Sequence, residues 1–275
     1  MKVPQPISAT ISSLRGQVRK QLGVAVHALA RHLDTPSPLD QPRTLDQVTR
    51  SIGDDWKVSG YYDQAEPDMD KAWNGLLWPL LEGCDFSVVV DLAAGHGRNS
   101  EKLRQHAKQI YVVDINQENI DFCRNRFAGD PRFTYIRCDG LTLAGIPDRS
   151  VSLLYCFDSM VHFDSDTVRA YLKEFRRILK PGGRGLCHHS NFTGRPVGDY
   201  HESPHTRNFM SRELFEHYCD KEGLRVVRSR LVDWNGDATY TPASEHAANP
   251  TDCISIFEPR AGLCQQRGVA SGLPP

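Results

Sequence analysis

The chain has 275 residues, 39% of them apolar, enough for one sizeable core with an appendage. Its formal net charge is −1, so no overall basic field points to nucleic acid. No stretch approaches the length of a membrane span. The eight cysteines are scattered without a C-x-x-C pair, which suits small core residues in a reducing, cytoplasmic compartment better than a disulfide frame or a zinc site.

Residues Ser8 to Leu33 carry apolar side chains at helical spacing: Ile11, Leu14, Val18, Leu22, Ala25, Leu29 and Leu33. Arg15, Arg19, Lys20 and Arg31 lie largely off that stripe, and no acid appears before Asp34. Such a helix either packs its stripe on the main domain or lies on a membrane surface. The stretch "DTPSPLDQPRT" follows, and its prolines oppose regular structure. Residues 1–55 therefore read as a helical extension and linker, 56–260 as the main domain and 261–275 as a tail.

From residue 86 the pattern is regular. Strands are expected in "FSVVVDLA", "QIYVVDIN", "FTYIRCDG", "SVSLLYCFDSM" and "RGLCHHS", the last preceded by a "KPGG" turn. The stretches "RNSEKLRQHA", "QENIDFCRNRF" and "SDTVRAYLKEFRRIL" between them read as helices. "SRELFEHYCDKEG" adds another, and "LRVVRSRLVDW" with "DCISIFEP" reads as a late hairpin-like pair closing the sheet. Near-continuous apolar strands alternating with amphipathic helices imply an α/β fold: a doubly wound, mostly parallel sheet of seven strands between helical layers.

In such a sheet the ligand lies beyond the carboxyl ends of the strands, at the switch point. "VVVDLAAGHGRNS" places Gly95 and Gly97 there, where the chain turns tightly and a ligand can approach the backbone. Asp114 ends the second strand, where an acid can accept hydrogen bonds from ribose hydroxyls. The loop alone fits a nicotinamide dinucleotide or an adenosyl ligand. The dinucleotide fingerprint, counted from Gly95, wants glycine at the position of Ser100. The third strand ends in "CDG", which sets Asp139 beside an adenine edge.

Together these stretches resemble the class I S-adenosylmethionine-dependent methyltransferases, from about residue 56 to 258. "VVVDLAAGHGRNS", "IYVVDIN", "YIRCDG", "VSLLYCFDSMVHF" and "LKPGG" are similar to that family's motifs in order and interval, with Ala93 where glycine is commoner. The resemblance implies S-adenosyl-L-methionine as cofactor. It gives Asp91 the task of orienting the loop, and the backbone at Ala93, Gly95 and Gly97 the methionine end. Asp114 would take the ribose hydroxyls and Ile115 would stack on the adenine. Asp139 would meet the adenine amino group, with the Cys138 and Gly140 backbone beside it, and Phe157 would lie near the methionine end.

Methyl transfer needs an aligned acceptor and, for a hydroxyl, a base. His162 is the first candidate, with Asp158 next. Of the paired histidines His188 and His189, alternation lets only one face the cleft, and His189 is the choice. The pair, with Asp158 and Asp164, prompts the thought of a divalent metal, but the spacing matches no known metal motif, so no metal is expected. The loop "FTGRPVGDYHESPHTRNFMS" is long enough to be a lid. Tyr200, His201 and Arg207 there, with Asn191 just before the loop and Tyr62 upstream, are the candidate acceptor contacts, and Tyr61 and Trp73 a possible cover. Their polarity suggests a polar small molecule or glycan methylated at a hydroxyl oxygen. The alternatives are a metabolite N-methyltransferase, a nucleic-acid or protein methyltransferase, or a non-catalytic cofactor-binding subunit. The near-zero charge and the "FDSM" tetrad speak against nucleic acid.

Overall fold

The computed structural model describes residues 43–57, 60–235, 239–242 and 250–261. The expected helix between Ser8 and Leu33 and nearly all of the expected tail lie outside the described residues. The compact unit that holds the sheet begins at Leu45. Its first helix, α1 (Leu45–Asp55), falls within the stretch assigned above to the extension and was not anticipated as a helix. It buries Thr49 and Ile52, three residues apart and so on one face.

Two short helices follow, α2 (Tyr61–Ala65) and α3 (Met69–Ala72). The latter runs through a π-helical turn (Trp73–Leu77) into α4 (Trp78–Leu81). Pro79 has no N–H, so nothing at that position can donate back into the preceding turn, and the ladder widens there. The sheet then alternates with helices: β1 (Val88–Leu92), α5 (Arg98–Leu103), β2 (Gln109–Asp114), α6 (Gln117–Arg126), β3 (Phe133–Arg137) and β4 (Val151–Cys156). Next come α7 (Ser165–Ile178), β5 (Leu179–Ser190), α8 (Arg212–Lys221), β6 (Leu224–Asn235), β7 (Thr239–Pro242) and β8 (Asp252–Pro259).

The strand order is β3-β2-β1-β4-β5-β8-β6-β7. The first five are parallel; β8 pairs antiparallel with β5 and β6, and β7 with β6. The seven expected strands are all present, and the four-residue β7 is added at the edge. The "KPGG" segment does not precede the fifth strand but lies within it. Val151 pairs with Leu179 while Leu153 pairs with Arg184, so residues 180–183 stand opposite Ser152 alone and three extra residues bulge out, with Gly182 at φ +77°.

All six residues of β4 are buried, as expected for a strand covered on both faces. Ser152 laces it to β1: its Oγ accepts from Val88 N at 2.8 Å and donates to Val88 O at 2.7 Å. α7 turns Val168, Tyr171, Leu172, Phe175 and Ile178 onto the sheet and is capped by Asp164, which accepts from Asp166 N. On the other face Trp73, Leu76, Leu77 and Leu81 pack with Val89, Ile110 and Tyr155. Trp73 is thus a core residue, not part of a cover.

Gly185 pairs directly with Phe257, and a Cβ there would lie 2.2 Å from the Phe257 ring. That ring is fully buried against Phe175 and Phe215 and has little room to move. Gly185→Ala should therefore cost about 1–3 kcal/mol through overpacking. Urea unfolding of wild type and variant measures it, and an unchanged midpoint would mean the β5–β8 register is wrong.

Candidate active site

β2 and β3 leave β1 on one side, β4 and β5 on the other, so the carboxyl ends of β1 and β4 part and open a crevice. A cavity of about 920 Å³, counted with the space open to solvent at its mouth, lies there. Its walls come from the β1 loop, the ends of β2, β3 and β4, the first turns of α7, and α1–α2 above.

The glycine turn hangs on Asp114. Asp114 Oδ2 accepts from Gly95 N at 2.9 Å, and Oδ1 accepts from Asn116 N at 2.9 Å and Asn119 Nδ2 at 3.2 Å. Burial raises its pKa, and these donors work against that rise. Ala93 (φ +56°) and Gly95 (φ +56°) are left-handed, and a Cβ on Gly95 would lie 2.4 Å from the Tyr62 ring. Gly97 (φ +81°) serves packing: a Cβ there would meet Phe127 at 2.8 Å and Cys123 at 3.1 Å, not the cavity. Of the loop, Ala93, Ala94 and His96 line the cavity.

Asp91 lies beneath the loop, fully buried, and accepts from Ser100 Oγ at 2.6 Å. Burial pushes its pKa up to about 7. Ser100 therefore holds Asp91 at the position where a dinucleotide fold has its third glycine.

Ile115, Cys138, Gly140 and Phe157 all line the cavity. Asp139 does not. It is exposed, and its carboxylate accepts from Leu141 N, Thr142 N and Thr142 Oγ1 at 2.9, 2.6 and 2.9 Å, closing its own turn. The adenine role expected for it has no support in this arrangement.

His162 ends a single 3₁₀ turn and lines the cavity, 7% exposed. Its ring stacks on Trp56 with centroids 4.4 Å apart. Nδ1 lies 2.8 Å from the Thr206 carbonyl, so it carries the proton and Nε2 keeps its lone pair. Burial, and then the Arg207 charge, lower the His162 pKa to about 4. Asp158 (φ +62°) also lines the cavity; its carboxylate binds Arg98 and the Tyr61 hydroxyl, so it is engaged and not an available base.

His189 faces away from the crevice. It is fully buried, stacks on Phe215 at 3.9 Å and hydrogen-bonds Ser190 O and Ser255 Oγ, both at 2.9 Å. Its neighbour His188 takes the crevice-side face: Nδ1 accepts from Asp158 N at 3.2 Å, and the ring stacks on Phe157 at 5.0 Å. Strand alternation sets the two histidines on opposite faces of β5, and neither lines the cavity.

The expected acceptor contacts divide. Tyr62 lines the cavity, its hydroxyl donating to Trp56 O at 2.9 Å. Asn191, Tyr200, His201 and Arg207 do not line it. Asn191 bridges Pro250 O and Arg212 N. Tyr200 donates to Asp55 at 2.5 Å, and His201 sits 3.0 Å from the same carboxylate. The hydrogen bond to Asp55, against partial burial, lifts His201 to a pKa of about 9. Arg207, 4% exposed, forms a two-pronged pair with Asp252 at 2.6 and 2.7 Å. These side chains fasten the loop rather than face the cavity.

Several cavity residues escaped sequence reasoning: Thr49, Ile52 and Trp56 from α1 and its end, Arg98, Asn119, Thr167 and Tyr171. Asn119 had a signal, an amide five residues after Asp114 in the first turn of a helix. Thr49 and Trp56 had none, because α1 itself was not read. Among the described residues no group of three His, Cys, Asp or Glu side chains is placed to hold a metal ion. Nor, among those residues, is any helix long and apolar enough to cross a membrane.

Residues 89–183 match the family model of a methyltransferase domain. Demethylmenaquinone methyltransferase of Clavibacter sepedonicus is 31% identical over 134 residues, 46% of this chain and 53% of that protein. Methyltransferase gedG of Aspergillus terreus is 26% identical over 158 residues, 56% of this chain and 48% of that one. The chain thus spans about half the length of the curated relatives it matches. In fold it is similar to a SAM-dependent methyltransferase of Leishmania major (TM-score 0.60, 15% identity, 79% of this chain, 87% of that one). It is also similar to geranyl diphosphate C-methyltransferase of Streptomyces coelicolor (TM-score 0.56, 17% identity, 78% and 88%). The sheet is that of the Rossmann-like methyltransferase fold. The chain is thus similar to the S-adenosylmethionine-dependent methyltransferases in the sequence of residues 89–183 and in fold.

The buried histidines set a pH dependence of stability. The folded-state pKa of His189 is lowered to about 4 from 6.5 by burial, so between those values the unfolded chain binds the extra proton and stability falls on acidification. Asp91, raised to about 7, acts in the opposite sense, favouring the fold as pH falls. Comparison with His189→Gln isolates the first effect. The stability advantage of wild type over this variant should shrink by about 2 kcal/mol between pH ~7 and ~4.5. A constant gap in denaturant titrations would show that His189 is not held neutral.

Proposed function

We propose that the chain transfers a methyl group from S-adenosyl-L-methionine to a small planar molecule bearing an acidic hydroxyl, of phenol type, with His162 as base. The single observation that carries this reading is His162 itself: buried on the cavity wall, stacked on Trp56, with Nδ1–H tied to Thr206 O.

The cavity's own features suit the cofactor. Asn119 Oδ1 is buried and has no hydrogen-bond partner, beside the Asp114 carboxylate. Two adjacent acceptors of this kind match the two hydroxyls of a ribose. Gly140 lines the cavity beside Ile115, where a side chain would collide with Ile115 and Thr49. When bound, the cofactor supplies an electrophilic methyl on a sulfonium. The chain's residues then have three tasks: Asp114 and Asn119 hold the sugar, Phe157 and the β1 loop exclude water, and His162 takes a proton.

The choice of acceptor follows from basicity. A ring with a pKa near 4 is a weak base. An alkyl hydroxyl, as on a glycan, has a pKa near that of water, about 15.7. A phenol lies near 10. The mismatch is several units smaller for the phenol, and its ring has the faces of Trp56, Tyr61 and Phe163 to lie against. The polar side chains once assigned to a glycan or other polar acceptor, Tyr200, His201, Arg207 and Asn191, are engaged elsewhere. A second reading is methylation at a ring carbon beside such a hydroxyl, after the same deprotonation. Its support is the naming of relatives as ubiquinone/menaquinone C-methyltransferases.

The test begins with labelled cofactor and a set of phenols and alcohols. Turnover should appear with phenols. His162→Ala should keep cofactor affinity and lose turnover by about 10²–10⁴-fold. Wild-type turnover should be flat from pH ~6 to ~8 and fall only as the medium nears the His162 pKa of about 4, since the protonated ring accepts nothing. A limb centred near 6.5, or equal loss of affinity and turnover in the variant, would remove His162 as the base.

A further inference from the structure

Asp139, the acid expected at the adenine, bonds its own turn and stands outside the cavity. Something else must read the edge of the base. At the β2–β3 end of the cavity, Ile115, Cys138 and Gly140 form one wall with α1. A Cβ on Gly140 would lie 2.4 Å from Thr49 Cγ2 and 2.7 Å from Ile115 Cδ1, and one on Gly53 would lie 2.8 Å from Ile115 Cγ2. Only glycine at these two positions lets α1 and Ile115 pack this closely against the end of β3.

Two hydroxyls line the cavity beside this contact. Thr49 of α1 and Thr167 of α7 are 7% and 2% exposed, both line the cavity, and their Oγ1 atoms are 2.7 Å apart. They come from elements 118 residues apart in sequence. A hydroxyl has one hydrogen and two acceptor sites. The bond between them uses one hydrogen and one lone pair. One O–H and several lone pairs remain at a buried site where polar groups need partners.

We infer that the Thr49–Thr167 hydroxyl pair recognises the base edge of the adenosyl cofactor in place of Asp139. This inference rests on the cofactor reading above and deepens it. It has a chemical consequence. A carboxylate only accepts, so it favours an exocyclic amino group and repels an oxo group. A hydroxyl pair accepts from an amino group or, by rotating one O–H, donates to an oxo group. Recognition should therefore be tolerant of deamination at the base.

The test is calorimetry with S-adenosylhomocysteine and its deaminated analogue, S-inosylhomocysteine, on the full chain. Wild type should bind the two within about tenfold of each other. Thr49→Val and Thr167→Val should each weaken S-adenosylhomocysteine by about 3–10-fold, the worth of one hydrogen bond. Thr49→Ser and Thr167→Ser, which keep the hydroxyl, should restore affinity and so separate hydrogen bonding from packing. Asp139→Asn, which preserves the turn, should stay within about twofold. Rejection of the inosyl analogue by 100-fold or more, valine variants with wild-type affinity, or a larger loss in Asp139→Asn would each overturn the proposal. If wild type binds neither compound, the cofactor reading fails as well, a result distinct from binding without threonine dependence.

Discussion

The site depends on one buried carboxylate. Asp114 ends β2, yet three of the groups it binds belong to other turns: Gly95 N in the β1 loop, and Asn116 N and Asn119 Nδ2 at the start of α6. The charge is far from water, and burial alone would drive it toward the neutral form. Donors on both oxygens offset that cost, and in doing so fix the glycine turn to the neighbouring strand. Removal of the carboxylate would leave Gly95 N unpaired and free the loop that shapes the cavity floor. The sheet supplies the crevice, but this contact gives the crevice a defined wall.

Asp91 and Ser100 do the corresponding work below the loop. Ser100 Oγ donates to Asp91, which ties the start of α5 to the end of β1. A dinucleotide fold uses glycine at that point for close helix–strand packing. Here a hydrogen bond takes its place, and the helix is held by polarity rather than by proximity. Arg98, the first residue of α5, pairs with Asp158 just beyond β4, so the two sides of the crevice are joined by an ion pair.

The parallel strands were legible in sequence because each is a short apolar run bounded by turn residues, and the motif order fixed their sequence. Asp114, Ile115, Cys138, Phe157 and His162 could be placed from that frame. What failed were statements about where a side chain points. His189 was set at the cleft, yet it points to the far face of β5 and stacks on Phe215, and His188 does not line the cavity either. Asp139 reads as a ligand acid or a turn former from the same "CDG", and only its hydrogen bonds decide. Arg207 and Asp252 are 45 residues apart, so their pairing is invisible locally. α1 was missed because "LDQVTRSIGDD" buries only two residues, too few for a clear helical stripe.

Backbone strain shows where the fold yields to the site. Among the described residues, the non-glycine positions in the left-handed region are Ala93, Arg149, Asp158, His205 and Thr206, and all but Arg149 belong to the cavity wall or the segment behind His162. Thr206 is the most telling, because a β-branched residue at φ +55° is a genuine outlier. Such strain persists only where surrounding contacts over-determine the conformation. Arg207 supplies them: its buried pair with Asp252 holds the next residue, and its Nη1 donates to His205 O at 2.9 Å. A buried ion pair contributes little net stability, but loss of one partner is strongly destabilising. It therefore suits a part that must not shift. The Thr206 carbonyl is thereby presented to His162 Nδ1, and the tautomer of the proposed base is set by a salt bridge that does not line the cavity.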